Sequence, residues 1–220
     1  MFNITDLIYR IPDFLTDSEC NLLISEYESR YSESDFEQCQ DSNTGILTEA
    51  SFSRVLLKEG TESYDLVFKK TEEAINHYIE YLNSFDSFHI PALKGSMLYS
   101  HVYRLLKYEV GSKIHPHSDH DPWTYASITF NLNDNYTGGA FKFFNGKHEV
   151  HLKKGEMMIW PADYFWVHEV APIETGFRYS TNSFLMTIPQ EIKNQLYKTL
   201  DEIFYFNENK EKFPKEYVIK

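Results

Sequence analysis

The sequence predicts a β-rich α+β fold, in which an antiparallel sandwich or jelly roll is supported by N-terminal helices and one C-terminal helix. Residues 96–188 are short runs rich in Tyr, Val, Phe and Thr, broken every few residues by Gly, Pro or Asn. About seven or eight short strands at this spacing are typical of a sandwich or jelly roll. Helical periodicity occurs before and after this region, so we expect helices there.

Two helices and a polar loop are predicted ahead of the strands. Thr16 and Glu19 have the spacing of a capping box and precede an apolar stripe, so a helix should begin there. The stripe consists of Cys20, Leu23, Ile24, Tyr27 and Tyr31. A second amphipathic helix is predicted over residues 63–82. Residues 32–46 are almost entirely polar or charged and are predicted to form a solvated loop.

The remaining elements complete a single domain. Asn145-Gly146 between two strand-like runs favours a β-hairpin with a type I′ turn. Apolar residues recur at helical spacing over residues 190–204, which predicts a last helix. We therefore interpret residues 1–220 as one domain, with N-terminal support in 1–95, the jelly-roll core in 96–188, and a C-terminal helix and tail in 189–220.

Composition and charge exclude several classes of function. The chain of 220 residues carries 33 acidic and 21 basic side chains, a formal net charge of -12. Proteins that bind nucleic acid or anionic lipid need basic surfaces, so neither partner is expected. The sequence has neither an apolar run long enough to span a membrane nor a signal peptide, and only two cysteines, which together favour a cytoplasmic protein.

Three residues in the predicted sheet have the pattern of a metal site. His117 and Asp119 are two positions apart, so in a strand their side chains lie on one face. His168, from a distant strand, could complete a three-ligand face. Two neutral imidazoles and one carboxylate with open positions suit Fe(II) and oxygen chemistry. His115 and His120 flank the first pair and are the alternative ligands or supporting groups.

Several spaced motifs around these residues resemble a known family. They are Tyr108-Glu109-Val110-Gly111, Gly138-Gly139, Trp160-Pro161, His168-Glu169-Val170-Ala171-Pro172 and Gly176-Phe177-Arg178-Tyr179-Ser180. Together they make residues 96–186 similar to the 2-oxoglutarate- and Fe(II)-dependent dioxygenases, in the prolyl 4-hydroxylase-like branch. The resemblance implies that the jelly roll is the double-stranded β-helix of that family.

The resemblance also implies a set of binding residues. His117, Asp119 and His168 match the iron ligands, and Arg178 matches the basic residue that binds the distal carboxylate of 2-oxoglutarate. A planar guanidinium suits that role because it can bind a carboxylate through two hydrogen bonds.

Further cosubstrate contacts follow from the same resemblance. Tyr108 and Ser180 are expected near the same carboxylate as Arg178. Asn131 lies where several relatives have a second tyrosine, and is the fourth candidate. Lys142 is an alternative cosubstrate anchor, since lysines serve elsewhere in the superfamily.

The implied activity is hydroxylation of an unactivated C–H bond coupled to oxidative decarboxylation of 2-oxoglutarate to succinate and CO₂. The expected cofactors are Fe(II) and 2-oxoglutarate, with ascorbate as an additional reductant, and O₂ is the co-reactant. A prolyl residue in a peptide or protein is the first substrate candidate, and a free amino acid or other small metabolite is the second. A jelly-roll binding protein without turnover, or a cupin-like metal enzyme, is the alternative of a different class.

The acidic segment 32–46 allows two interpretations. Relatives use an N-terminal loop of this kind as a lid over the substrate, in which case its charge would select a cationic partner. The other interpretation is a solvated loop without a specific role.

Overall fold

Three antiparallel sheets and four α-helices form the structure, a computed structural model that describes residues 3–41 and 44–204. The helices are α1 Asp17–Ser29, α2 Glu62–Asn83, α3 Ile90–Ser96 and α4 Gln190–Phe204. The strands are β1 Tyr9–Ile11, β2 Asp35–Gln40, β3 Leu47–Leu56, β4 Tyr99–Tyr108, β5 Ile114–His117, β6 Thr124–Asn131, β7 Thr137–Gly138, β8 Phe141–Phe143, β9 His148–Val150, β10 Met157–Pro161, β11 His168–Val170, β12 Ile173–Thr175 and β13 Arg178–Met186.

Contacts divide the chain into two units, Met1–Thr187 and Ile188–Lys220. The second unit contains α4, so the predicted C-terminal helix is confirmed. Residues 205–220 of the predicted tail lie outside the described residues. The expected organisation as one domain with divisions near residues 95 and 188 stays a prediction. Along the part of the chain that the structure describes, no helix is long and apolar enough to cross a membrane.

The predicted jelly roll is confirmed by two facing sheets. The larger sheet has the strand order β1-β10-β6-β13-β4-β3-β2, and the smaller one has β5-β11-β8-β9. One buried cluster contains Leu106 and Trp160 from the larger sheet together with Phe143 and Val170 from the smaller one. The apolar residues of both sheets therefore meet in a common layer, as in a double-stranded β-helix.

The N-terminal helices cover the other face of the larger sheet. Thr16 caps α1 as predicted, since its hydroxyl accepts the Glu19 N–H and the Glu19 carboxylate accepts the Thr16 N–H. Leu23 of α1 and Val67 of α2 belong to a second buried cluster, which includes Phe130 of β6. Because successive strand residues face opposite sides, this packing turns residues 127, 129 and 131 of β6 toward the smaller sheet.

The prediction of a solvated loop over residues 32–46 is wrong for residues 35–40, which form a strand, while residues 42 and 43 lie outside the described residues. The segment contains a short 3₁₀ turn at Tyr31–Glu33 and then β2, which pairs with β3 at the edge of the larger sheet. Its acidic side chains are compatible with a strand because basic side chains on β3 and β4 bind them. The Asp35 carboxylate accepts a hydrogen bond from Arg54 Nε at 2.7 Å, and Glu37 is paired with Arg104.

Two local predictions within the core need refinement. The hairpin around Asn145-Gly146 is present between β8 and β9, but Phe143 pairs with His148, so its loop has four residues rather than two. Positive φ angles at Phe144 (54°), Asn145 (57°) and Gly146 (77°) form this turn. Ten strands lie between residues 96 and 188, more than the seven or eight expected, because several are only two or three residues long.

Candidate metal centre and adjoining cavity

Two adjacent strands of the smaller sheet bring the predicted metal ligands together. His117 ends β5 and His168 begins β11, and the antiparallel register places these two residues directly opposite each other. Asp119 follows two residues after His117. One potential ligand atom from each of the three residues lies within 4.8 Å of the others, which is a separation that a single metal ion can bridge. The structure therefore brings together the three residues expected from the sequence.

Backbone carbonyls orient both imidazoles. His117 Nδ1 lies 2.9 Å from the His115 carbonyl oxygen, and His168 Nδ1 lies 3.0 Å from the Trp166 carbonyl oxygen. A carbonyl can only accept, so each Nδ1 carries the proton and each Nε2 keeps its lone pair. The two Nε2 atoms lie 3.3 Å and 3.6 Å from the oxygens of Asp119. Both lone pairs therefore converge on the carboxylate, as in a metal site.

Electrostatics set the protonation states that a metal requires. Burial opposes ionisation of Asp119, but His168, His117 and a hydrogen bond from Ser127 outweigh it and hold the pKa of the carboxyl well below its usual range. Ser127 Oγ donates to Asp119 Oδ2 at 2.6 Å. Burial lowers the pKa of His168 to about 4. Near neutral pH the cluster thus presents a carboxylate and a neutral His168 imidazole, which is the donor set that suits Fe(II).

A buried cation lies in the same interior, and its surroundings fit a carboxylate ligand. Arg178 is only 1% exposed, and its Nε donates to Asn131 Oδ1 at 3.1 Å and its Nη1 to the Gly139 carbonyl at 3.3 Å. Both partners are neutral, and among the described residues no carboxylate forms an ion pair with this guanidinium. A buried charge normally needs an opposite charge, so the residues present fit an incoming anion such as the distal carboxylate of 2-oxoglutarate.

The other predicted cosubstrate contacts lie around Arg178. Its guanidinium carbon is 5.1 Å from the centre of the Tyr108 ring and 4.8 Å from that of Phe141. Burial raises the pKa of Tyr108 to about 12, so its hydroxyl is a proton donor at neutral pH. Ser180 is buried two positions along β13 from Arg178, on the same face of the strand.

Asn131 lies beside Arg178, and its role as a cosubstrate contact stays a prediction. Its Oδ1 accepts hydrogen bonds from Arg178 Nε and, at 3.2 Å, from the Tyr136 hydroxyl. Its Nδ2 donates to the carbonyl of Asn133 at 2.6 Å and to that of Leu152 at 3.2 Å. With these donors and acceptors occupied, the side chain is suited to fixing the orientation of Arg178 rather than to contacting a cosubstrate.

The alternative residues lie outside the cluster. His115 Nδ1 is 3.6 Å from Asp41 Oδ2, away from the three ligands. His120 lines the cavity described below but packs edge-on against Tyr164. Lys142 lies between the buried Phe141 and Phe143 on β8, so strand alternation places it on the opposite face of the sheet from them. The geometry therefore favours Arg178 over Lys142 as the cosubstrate anchor.

A cavity of about 450 Å³ opens beside the three ligands. Its wall is partly aromatic, formed by Phe52, Tyr108, Phe141, Trp160 and Phe184. Its remaining wall contains the charged side chains of Arg104 and Glu37 and the amide of Asn182. This volume is within the range of small-molecule sites.

Sequence reasoning did not identify the polar residues of that wall. Strand alternation offered a signal for two of them, because Arg104 has the same parity as Tyr108 on β4 and Asn182 the same as Arg178 on β13. Glu37 could not be found this way, since its segment was interpreted as a loop.

The comparisons with known proteins agree with this geometry. The family model described as "2OG-Fe(II) oxygenase superfamily" matches residues 103–186, which contain all three candidate ligands and Arg178. Comparison with curated proteins gives no significant match.

Solved structures show the same fold at low sequence identity. The viral collagen prolyl hydroxylase of Paramecium bursaria Chlorella virus-1, in complex with 2-oxoglutarate, superposes with a TM-score of 0.61 at 18% identity, covering 83% of this chain and 97% of that one. A Pseudomonas putida prolyl-4-hydroxylase gives 0.60 at 17% identity, covering 83% and 94%. A Trichoplax adhaerens prolyl hydroxylase, solved with a peptide fragment of the hypoxia inducible factor oxygen degradation domain, gives 0.58 at 16%, covering 83% and 84%.

The resemblance noted in the sequence is therefore confirmed, including the likeness in fold to prolyl 4-hydroxylases. The superfamily consists of oxidoreductases that use Fe(II) and 2-oxoglutarate, so both predicted cofactors are confirmed, whereas ascorbate stays a prediction. The chain contains a domain of the 2OG-Fe(II) oxygenase superfamily.

Proposed function

We propose that this protein is a hydroxylase that inserts one oxygen atom into an unactivated C–H bond and converts 2-oxoglutarate to succinate and CO₂. One observation carries the proposal. A His, Asp and His cluster borders a cavity, and a buried arginine without an anionic partner among the described residues lies in the same interior. A binding protein without turnover would have no use for this combination.

His117, Asp119 and His168 would hold the metal. Bound Fe(II), with 2-oxoglutarate and O₂, supplies the oxidation of the substrate C–H bond. The protein contributes the protonation state of the ligands, since the carbonyls of His115 and Trp166 accept from the two Nδ1 atoms and leave both Nε2 atoms unprotonated. Ser127 fixes one oxygen of Asp119, which leaves the other oxygen available to a metal.

Arg178 would bind the distal carboxylate of 2-oxoglutarate. Asn131 holds the guanidinium Nε, and the Tyr108 ring lies against the guanidinium, so the cation is oriented before the cosubstrate arrives. The neutral Tyr108 hydroxyl and the buried Ser180 hydroxyl can donate to the same carboxylate. Such preorganised donors in a dry interior bind an anion more strongly than they would in water.

The aromatic wall would limit access of water. Phe141 and Trp160 pack against the His168 ring with centroid distances of 6.5 Å and 5.2 Å, and Phe143 does so at 5.5 Å. Excluding water prevents side reactions of the oxidising site and protects the cosubstrate interaction from screening.

Two kinds of substrate are supported. A prolyl residue in a peptide is supported by the likeness in fold to the three prolyl hydroxylases. A free amino acid or another small metabolite is supported by a specific observation, the charged pair Arg104 and Glu37 in the cavity wall.

Anaerobic addition of Fe(II) and 2-oxoglutarate tests the proposal. The wild-type protein should develop the visible metal-to-ligand absorption band of a chelated Fe(II), and the His168→Ala variant should not. Admission of O₂ should then release succinate only from the wild type. If the two proteins gave the same spectrum and no succinate, the proposal would be wrong.

A further inference from the structure

The cavity wall contains an ion pair that the proposed chemistry does not use. Arg104 on β4 is only 4% exposed, and its Nη1 binds Glu37 Oε2 of β2. Its Nε donates to Asn182 Oδ1 of β13 at 3.0 Å, and its guanidinium carbon lies 5.0 Å from the centre of the Phe184 ring. All four side chains line the cavity beside the metal ligands.

This pair is separate from the cosubstrate site. Arg104 pairs in register with Asn182, whereas Tyr108 pairs with Arg178 four residues further along the same two strands. Arg178 is held by the neutral Asn131 and the Gly139 carbonyl, whereas Arg104 lines the cavity itself. Among the described side chains, the inner face of the larger sheet therefore has two buried cations, and Arg104 is the one that lines the cavity.

Stability alone does not account for the pair. Removing two charges from water costs free energy that their attraction often fails to recover, and apolar side chains of similar volume are frequently as stabilising. Burial lowers the pKa of Arg104, which is a sign of that cost.

One carboxylate oxygen of Glu37 is bound by a second arginine, Arg54. Its Oε1 lies 3.2 Å from Arg54 Nη1, and Arg54 is itself held by Asp35 at 2.7 Å. Only Oε2 is shared with Arg104. If Glu37 separated from Arg104, its carboxylate would therefore keep Arg54 as a cationic neighbour and would have one oxygen available to a ligand in the cavity.

We propose that Arg104 and Glu37 bind the substrate, and that the substrate is a free α-amino acid. This inference rests on the hydroxylase function proposed above. The substrate carboxylate binds the Arg104 guanidinium, with the Asn182 amide beside it, and the substrate ammonium binds Glu37. The side chain of the amino acid then lies in the aromatic part of the cavity beside the metal ligands.

Charge complementarity favours a zwitterion over the other candidates. A cation and an anion placed side by side are matched by a ligand with adjacent carboxylate and ammonium groups, because every buried charge then keeps an opposite partner. A prolyl residue within a peptide has neither group. A ligand with a carboxylate alone would compete with Glu37 for Arg104 and add an unbalanced negative charge.

Calorimetric titration of the protein loaded anaerobically with Fe(II) and 2-oxoglutarate tests the inference. The probes are the twenty free L-amino acids and, for each that binds, its N-acetyl and C-amide derivatives. At least one free amino acid should bind, and each of its blocked derivatives should bind at least about tenfold more weakly. The loss of a buried charge contact costs more than about 1.4 kcal/mol of binding free energy, which corresponds to a factor of ten in affinity. A prolyl peptide with blocked ends should not bind more tightly than that amino acid.

The variants Arg104→Gln and Glu37→Gln separate substrate binding from cosubstrate binding. Each variant should bind the free amino acid at least about tenfold more weakly than the wild type. The Fe(II)–2-oxoglutarate absorption band, and the midpoint of its titration with 2-oxoglutarate, should stay unchanged. Lys107→Gln is the matched control, because Lys107 lies on β4 but on its outer face, and it should leave amino-acid binding unchanged.

The failures are distinguishable. If the wild type shows no absorption band, the proposed function fails and this inference fails with it. If the band is present but no free amino acid binds, or the blocked derivatives bind equally well, the inference alone is overturned. It is also overturned if Arg104→Gln abolishes the band, because Arg104 would then be the cosubstrate anchor.

Discussion

The variant Arg178→Gln is predicted to lose 2-oxoglutarate binding while retaining metal binding. Arg178 is 1% exposed, so water cannot replace the guanidinium when the side chain is shortened. Removing one partner of a buried, hydrogen-bonded charge pair costs about 2–5 kcal/mol. That loss corresponds to a dissociation constant raised by about 30-fold to a few thousand-fold, and the enclosed position of Arg178 favours the upper part of this range.

The assay is an anaerobic titration of the Fe(II)-loaded protein with 2-oxoglutarate, followed by the visible absorption band. Metal affinity, measured separately, should change by less than about threefold, since the hydrogen bonds of Arg178 go to Asn131 and the Gly139 carbonyl and not to a candidate metal ligand. Lys142→Gln is the control and should titrate like the wild type, because Lys142 lies on the opposite face of β8 from the interior. An unchanged midpoint for Arg178→Gln, or a raised midpoint for Lys142→Gln, would refute the reasoning.

Three further outcomes concern folding. In urea titrations, Gly138→Ala should lower the free energy of unfolding by about 1–3 kcal/mol more than Gly146→Ala does. Both glycines have positive φ, but of the two only a Cβ at Gly138 would meet a backbone oxygen, at 2.1 Å. Equal losses of stability in the two variants would contradict this. Burial raises the pKa of Cys20 to about 11, so in a variant whose other cysteine is serine, thiol labelling at pH 8 should be slow until the protein unfolds. Rapid labelling of the folded protein would be the opposite result. Lys107→Met should lower stability by about 1–2 kcal/mol at pH 7, since the ammonium lies 5.0–5.9 Å from four aromatic ring centres and 2.8 Å from Glu28. Burial opposes ionisation of Glu28, but hydrogen bonds, first from Lys107, outweigh it and lower the pKa of the carboxyl. The ion pair therefore stabilises the fold above the pKa that Glu28 has in the unfolded state. This stabilisation is lost as the pH falls through the lower pKa of the folded state. Urea titrations should therefore show a smaller difference between wild type and Lys107→Met below about pH 4 than at pH 7. A difference that does not shrink would contradict the role of the ion pair.

The candidate metal ligands could be predicted because their signal is local. The His-x-Asp spacing indicated His117 and Asp119, although β5 ends at His117 and Asp119 lies in the segment after it, and the motif following His168 indicated the second strand. Their proximity requires the antiparallel register that places His117 opposite His168, which alternation alone does not provide.

The charged wall of the cavity could not be predicted because it depends on long-range pairing. The acidic segment 32–46 has the composition of a loop, but Asp35 and Glu37 of β2 are bound by Arg54 of β3 and Arg104 of β4, which are distant along the chain. Strand propensity is decided by such cross-strand partners more than by composition.

The same limitation applies to Asn131, whose position along the chain matched a cosubstrate contact. Its hydrogen bonds to Arg178 and to carbonyls of the neighbouring loop are visible only in the folded chain. Sequence position thus placed Asn131 near Arg178, while the partners of its amide group could be read only from the structure.

The most direct test of the central claim is a crystal structure of the protein with Mn(II) in place of Fe(II) and with 2-oxoglutarate. The account predicts one anomalous peak in bonding contact with His117, Asp119 and His168, and the distal carboxylate of 2-oxoglutarate on Arg178. A metal held by His115 or His120, or a cosubstrate carboxylate bound away from Arg178, would contradict it.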